Sequence, residues 1–199
     1  MSDILCVTNR TLCKEDFFAR VEKIAAEHPK AIVLREKDLR EKEYKELAEN
    51  ILVICKKYEV PCILHRFVDA AIELGAENIH LPISVLRTMD EKKKEAFKII
   101  GASCHSVEEA QEAERSGCTY ITAGHIFVTD CKKGLAPRGL EFLRKVCESV
   151  SIPVYAIGGI SRENIELVRK TGAAGACVMS GLMRCENVKE TMKGFEIKV

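Results

Sequence analysis

The sequence predicts a closed (β/α)8 barrel, the compact TIM-barrel architecture, as a single domain over residues 1–199. Three observations carry that prediction. Short runs that are apolar at nearly every position recur eight times, the pattern of parallel strands buried on both faces. Longer stretches with apolar residues at helical spacing alternate with them. Such alternation implies a parallel sheet with right-handed crossovers, and a count of eight favours closure over the alternative, a doubly wound open sheet. A chain of 199 residues is at the small end for this barrel, so insertions must be few.

The first run, ILCVTN (4–9), leads into EDFFARVEKIAAEH (15–28), where Phe17, Val21, Ile24 and Ala25 make one apolar stripe. AIVLRE (31–36) precedes EKEYKELAENILVICKKY (41–58). CILHRF (62–67) precedes VDAAIELG, and NIHLP (78–82) follows. FKIIGASC (97–104) leads into SVEEAQEAERSG (106–117), and YITAGH (120–125) leads through a loop into GLEFLRKVCESV (139–150). VYAIGG (154–159) leads into SRENIELVRKTG (161–172), and GACVMSG (175–181) is the eighth run. The punctuation agrees. Gly75, Gly117 and Gly172 stand where a helix C-cap needs a left-handed residue. Ser106 and Ser161 stand at helix N-caps, with Glu109 at the capping-box spacing and Glu163 two positions after Ser161. Pro61 and Pro153 each precede a strand, where a missing N–H is tolerated.

Composition excludes several classes of function. The formal net charge is +1, from 31 basic and 30 acidic side chains. No basic block suggests nucleic acid. The run EKKKEAF (91–97) is bracketed by glutamates and reads as a solvated helix face. No apolar run has the ~18 residues that a membrane span needs, and the start, MSDILCVTNR, lacks a signal-peptide pattern. The expected compartment is the cytoplasm. The ten cysteines show neither C-x-x-C nor zinc-finger spacing. Several sit in apolar runs and read as small buried hydrophobes in a reducing interior. Only Cys131 is kept open for a role.

In such a barrel the active site forms at the C-terminal ends of the strands. The second run delivers Arg35, Glu36 and Lys37 there, a guanidinium and an ammonium suited to an anionic group, with a surface ion pair between Arg35 and Glu36 as the plainer alternative. The third delivers His65 and Arg66, the fourth His80, and the fifth Ser103 and His105. The sixth delivers His125, which exchanges protons near neutral pH. The seventh and eighth end in AIGGIS and VMSGL. There Gly158, Gly159, Ser180 and Gly181 offer backbone N–H groups at helix starts, a phosphate cradle or simply tight turns. No pair of aspartates stands at the strand ends, so a carboxylate magnesium site is not evident.

Nearly the whole chain resembles the thiamin phosphate synthase and TenI superfamily, through VLREK, VDAAIELGAENIHLP, IGASCHSVEEAQEAERSGCTYI, IPVYAIGGIS and GAAGACVMSG. Within it the chain is more similar to TenI, the thiazole tautomerase. Synthases have Gly-Pro-(Ile/Val)-Phe after the sixth strand, where this chain has GHIF, with His125 in place of proline. Their magnesium-binding aspartates after strands three and four are replaced by His65-Arg66 and by PISV (82–85). The glutamine that precedes LREK in the family is also absent. The resemblance implies an isomerase that needs no cofactor or metal. It would convert a non-aromatic carboxythiazole phosphate to its aromatic tautomer, with His125 moving the proton. It also implies phosphate binding by Gly158, Gly159, Ser180 and Gly181. Arg35 and Lys133 would hold other anionic oxygens, Ser103 and Thr129 would hydrogen-bond the substrate, and Lys37 and His105 are second choices. A homodimer is expected, with no nucleic-acid or membrane partner. Two alternatives stay open: a thiamin phosphate synthase-like transferase, and a non-catalytic binder of thiazole or thiamin phosphates.

Overall fold

The computed structural model describes residues 2–195, apart from the Cys131 side chain. The role kept open for Cys131 therefore lies outside the described residues. Eight strands form: β1 Ile4–Val7, β2 Ala31–Leu34, β3 Cys62–His65, β4 Asn78–Pro82, β5 Ile99–Cys104, β6 Tyr120–Gly124, β7 Val154–Ile157 and β8 Gly175–Val178. They are hydrogen-bonded in that order round a closed barrel. The helices are α1 Phe17–Ala25, α2 Glu41–Lys57, α3 Val68–Glu73, α4 Ile83–Leu86, α5 Glu91–Lys94, α6 Val107–Arg115, α7 Gly139–Ser149, α8 Ile165–Arg169, α9 Ser180–Met183 and α10 Val188–Lys193. The expected barrel stands, and the open doubly wound sheet falls. Several strands stop before their apolar run ends, β1 at Val7 and β7 at Ile157. The residues beyond them turn their polar groups or glycine backbone to other tasks.

Packing divides the chain into two compact units, one of residues up to Ile79 together with those from Val178, the other from His80 to Cys177. In the first, β1, β2 and β3 run parallel, with Cys6 beside Ile32 and Ile32 beside Cys62. Asp16 caps α1, its carboxylate accepting from the Ala19 N–H at 2.9 Å. The buried face of α1 is Arg20, Val21, Ile24 and Ala25, while Phe17 stays half-buried. Arg20 takes that place because its charge is met: its Nε lies 2.7 Å from Glu15 and its guanidinium donates to the Leu182 carbonyl. Tyr44 on α2 ties the ends of two strands together. Its hydroxyl donates to the Leu34 carbonyl and accepts from the His65 N–H, each at 2.7 Å.

In the second unit β5, β6, β7 and β8 pair in parallel, with Gly101 beside Tyr120, Ser103 beside Thr122 and Tyr155 beside Gly175. Gly101 is required by this register. A Cβ there would overlap the ring and hydroxyl of Tyr120. Ser106 caps α6 as expected, accepting from the Glu109 N–H at 3.1 Å. Ser161 caps the turn that enters α8, its hydroxyl accepting from the Glu163 N–H at 3.3 Å and its carbonyl from the Ile165 N–H at 3.0 Å. The regular helix starts at Ile165, after Asn164, whose amide oxygen accepts from the Ser161 N–H. Gly75, Gly117 and Gly172 all have positive φ, as their C-cap positions require.

Six of the cysteines, Cys6, Cys55, Cys62, Cys104, Cys118 and Cys177, are buried thiols outside any disulfide. Burial pushes the thiols of Cys104 and Cys118 up to about 12 and about 11, and raises that of Cys177 further. They act as small hydrophobes. Among the described residues no helix is long and apolar enough to cross a membrane.

Because these thiols ionise later in the folded chain than at the ordinary value of 9.0, the unfolded chain loses protons first as pH rises. Stability is then full below pH 9.0 and falls between there and about 12, which denaturant titrations at pH 8 and above 10 measure. Native alkylation at pH 8 should leave Cys104 and Cys177 unlabelled. Gly101→Ala should cost roughly 1–3 kcal/mol in the same titration, because Tyr120 has to move.

Candidate active site

Two parallel strands paired residue for residue present their side chains in matched rows. The register of β5 and β6 therefore puts Gly101, Tyr120, Ser103 and Thr122 on one face. His80 arrives from β4 and completes a polar line. Its Nδ1 lies 2.8 Å from Tyr120 Oη and its Nε2 lies 2.8 Å from Ser103 Oγ. Thr122 Oγ1 is 3.4 Å from the same serine oxygen. His80, Tyr120 and Thr122 are buried, while Ser103 is half-exposed. The Tyr120 ring is fixed edge-on by Tyr155 at 5.8 Å and 89°, and lies 5.5 Å from the His80 ring. Burial raises its phenol well above the ordinary 10.0, so it stays a neutral O–H donor. The sequence put Ser103 and His80 at strand ends but gave no hint of Tyr120, because nothing local in YITAG states which residue of the next strand it faces.

His125 follows β6 and is also buried. Its Nε2 lies 3.3 Å from the Leu135 carbonyl, and its own carbonyl accepts from the Arg138 N–H at 2.9 Å. The chain between them folds back over the imidazole and carries Thr129, half-exposed, and Lys133, exposed. Beyond the strands the ladder continues, with Ile126 N–H donating to the Ile157 carbonyl and Phe127 N–H to the Gly158 carbonyl, each at 3.0 Å. This contact explains the two glycines after β7. Both are left-handed, at φ 98° and 69°. A Cβ on Gly158 would overlap that of His125, and one on Gly159 would press on Phe127 and Val128. The pair is thus demanded by close approach of residues 125–128, whatever else it binds.

In the other unit the Arg35 N–H donates to the Thr8 hydroxyl at 2.9 Å, while its side chain is half-exposed and Lys37 is exposed. The Glu36 carboxylate is buried and is taken elsewhere. It accepts from the Thr8 hydroxyl at 2.7 Å, from the Arg10 N–H at 3.0 Å and from the Arg10 guanidinium at 3.3 Å. Arg10 also forks onto Asp38 with two bonds of 2.7 Å, which holds the Asp38 carboxyl below its ordinary range. The sequence reading missed Arg10, because Glu36 is 26 residues away along the chain. Ser180 opens α9, and Gly181 there needs no left-handed backbone; a Cβ would lie 3.2 Å from Val178.

His65 and His105 make contacts close to their own strand ends. The His65 N–H donates to Tyr44, and the next residue, Arg66, lays its guanidinium 4.7 Å from the Phe67 ring. His105 is bound to Glu109 through its N–H at 2.6 Å and its ring Nδ1 at 3.2 Å, a helix-start contact. Among the described residues no group of three or more His, Cys, Asp and Glu side chains could hold a metal ion. A cavity of about 450 Å3, lined by Lys94, Phe97, Ile100, Arg115 and Gly117 among others, opens at the entering end of β5, away from Ser103.

Residues 4–182 match the family described as thiamine monophosphate synthase. The thiamine-phosphate synthase of Clostridium tetani is 34% identical over 95% of this chain and 93% of its own length. That of Clostridium acetobutylicum is 36% identical over 92% of this chain and 88% of its own. Among solved structures, thiamine phosphate pyrophosphorylase from Pyrococcus furiosus superposes with a TM-score of 0.82 and 32% identity, over 96% of this chain and 92% of that one. These likenesses overturn the expected isomerase, since relatives similar over almost their full length are synthases and hence transferases. The tautomerase reading rested on His125 after β6 and on the aspartates replaced at the ends of β3 and β4. In the structure the imidazole of His125 is engaged by a carbonyl of its own loop. By its sequence over nearly its whole length, and by its barrel, the chain belongs to the thiamine monophosphate synthase family.

Proposed function

We propose that the protein is a transferase that makes thiamine phosphate from a pyrimidine diphosphate and a thiazole phosphate. The thiazole ring nitrogen forms a bond to the pyrimidine methylene carbon. The bond from that carbon to the diphosphate oxygen breaks, and its electron pair leaves with pyrophosphate. The observation that supports this reading is the match along residues 4–182 to a synthase family, with named synthases a third identical over nine-tenths of the chain.

The reaction needs cations and hydrogen-bond donors for two phosphorylated groups. In this reading Arg35 forks onto an anionic oxygen and Lys37 adds a point charge, with Ser180 and Gly181 donating to phosphate in the same unit. In the unit from His80 to Cys177, Ser103, Thr129 and Lys133 donate to anionic oxygens, and the N–H groups of Gly158 and Gly159 do so from the backbone. His125 acts through its own loop: its bond to Leu135 holds the segment that carries Thr129 and Lys133. The magnesium that synthases of the family bind through aspartates does not fit the side chains present. At the end of β3 stand His65 and Arg66, and from the end of β4 the chain runs Pro82, Ile83, Ser84, Val85, without a carboxylate at either place. In this reading protein cations meet the charge of the leaving diphosphate.

That missing carboxylate set favours a second reading, in which the protein binds thiazole or thiamine phosphates without turnover. Incubation with both substrates and magnesium, followed by detection of thiamine phosphate and pyrophosphate, separates the two. The transferase reading expects both products in equal amounts. Binding of thiazole phosphate by calorimetry without product would support the binder instead, and neither binding nor product would overturn both. Arg35→Ala should raise KM for the anionic substrate roughly 10- to 100-fold, the loss of a hydrogen bond to a charged group.

A further inference from the structure

We infer that Tyr120 and His80 are a positioning pair that turns the Ser103 hydroxyl into a one-way donor to an anionic phosphate or diphosphate oxygen. The site for that anion rests on the transferase reading, but the polarity of the chain of hydrogen bonds does not. Among the described residues His80 Nδ1, at 2.8 Å, is the one polar partner of Tyr120 Oη. The phenol is buried and neutral. A buried O–H without an acceptor incurs its full desolvation penalty, so Oη donates and Nδ1 accepts. The neutral imidazole then carries its proton on Nε2.

Nε2–H points at Ser103 Oγ, 2.8 Å away, and fills one of its lone pairs. Thr122 Oγ1, at 3.4 Å, lies beside the same oxygen. A serine hydroxyl has one proton and two lone pairs. With its acceptor side occupied, its proton is directed to the accessible side, where Ser103 is half-exposed. The opposite polarity would strand the tyrosine proton in the core. It would also consume the serine proton on His80 and leave lone pairs facing the ligand, which repel an anion. The pair is held rigidly: Gly101 leaves room for the phenol, and Tyr155 packs edge-on against it. Neither Tyr120 nor His80 needs to touch the substrate.

The first test is the tautomer of His80 in the unmodified protein, read by nitrogen-15 NMR of labelled histidine, with the His80→Gln spectrum identifying the signal. Protonation at Nε2 is expected, and protonation at Nδ1 overturns the inference. The second is calorimetry with inorganic pyrophosphate and, separately, phosphate, using wild type, Ser103→Ala, Tyr120→Phe and the double variant. Each single change should weaken binding about tenfold, and the double should be no weaker than Ser103→Ala, since both remove the same donor. Additive losses, unchanged binding in Tyr120→Phe, or no binding of either anion by wild type overturn it. The stronger-bound anion identifies which group Ser103 serves. If Tyr120→Phe does not fold, the tautomer decides alone. Should these results hold while no thiamine phosphate is formed, the transferase reading falls and the positioning pair stands.

Discussion

A parallel strand buried on both faces can carry a polar side chain only where a neighbouring strand supplies a partner at the same level. The rest of this structure depends on that constraint. His80 is buried because β5 and β6 bring Ser103 and Tyr120 to its two ring nitrogens. Tyr120 is buried because Gly101, paired beside it, has no Cβ. Glu36 obeys the same rule, with Thr8 and the Arg10 backbone and side chain around its carboxylate. These polar groups take their partners from another strand or loop, so strand register and the placement of chemistry are one problem.

The loops after the strands follow from close approach rather than from ligand chemistry alone. Gly158 and Gly159 invite a phosphate reading because small residues precede a helix. In the folded chain their missing Cβ atoms make room for His125, Phe127 and Val128. The ladder between residues 126–127 and 157–158 continues the strand pairing into those loops. A glycine pair can therefore serve packing and still leave its N–H groups for an anion. His125 is drawn into the same packing, with its ring against the Leu135 carbonyl.

The functional expectation drew on His125 and on the replaced aspartates, a few positions among many. A histidine at a strand end is chemically able to move a proton, but the same imidazole also makes a good hydrogen-bond partner for a carbonyl. Similarity spread over nearly the whole chain reflects many positions at once, and it places the protein with synthases. The replaced aspartates remain a physical fact of this chain. In the proposed transferase they leave the neutralisation of phosphate charge to Arg, Lys and hydroxyl groups.

Local physics alone determined the eight strands, the helix stops at Gly75, Gly117 and Gly172, and the cap at Ser106. Continuous apolar runs, left-handed glycines and a hydroxyl cap are properties of a few adjacent residues. The sequence also placed Arg35, Lys37, Ser103 and His125 at strand ends, because a barrel's strand ends are known once its strands are. What only the tertiary structure decided is which distant residues meet. Tyr120 faces His80 across 40 positions of sequence, and Arg10 reaches Glu36 across 26. Those meetings are fixed by strand register and loop course, which a linear pattern does not encode, and they decide which polar groups are free to act.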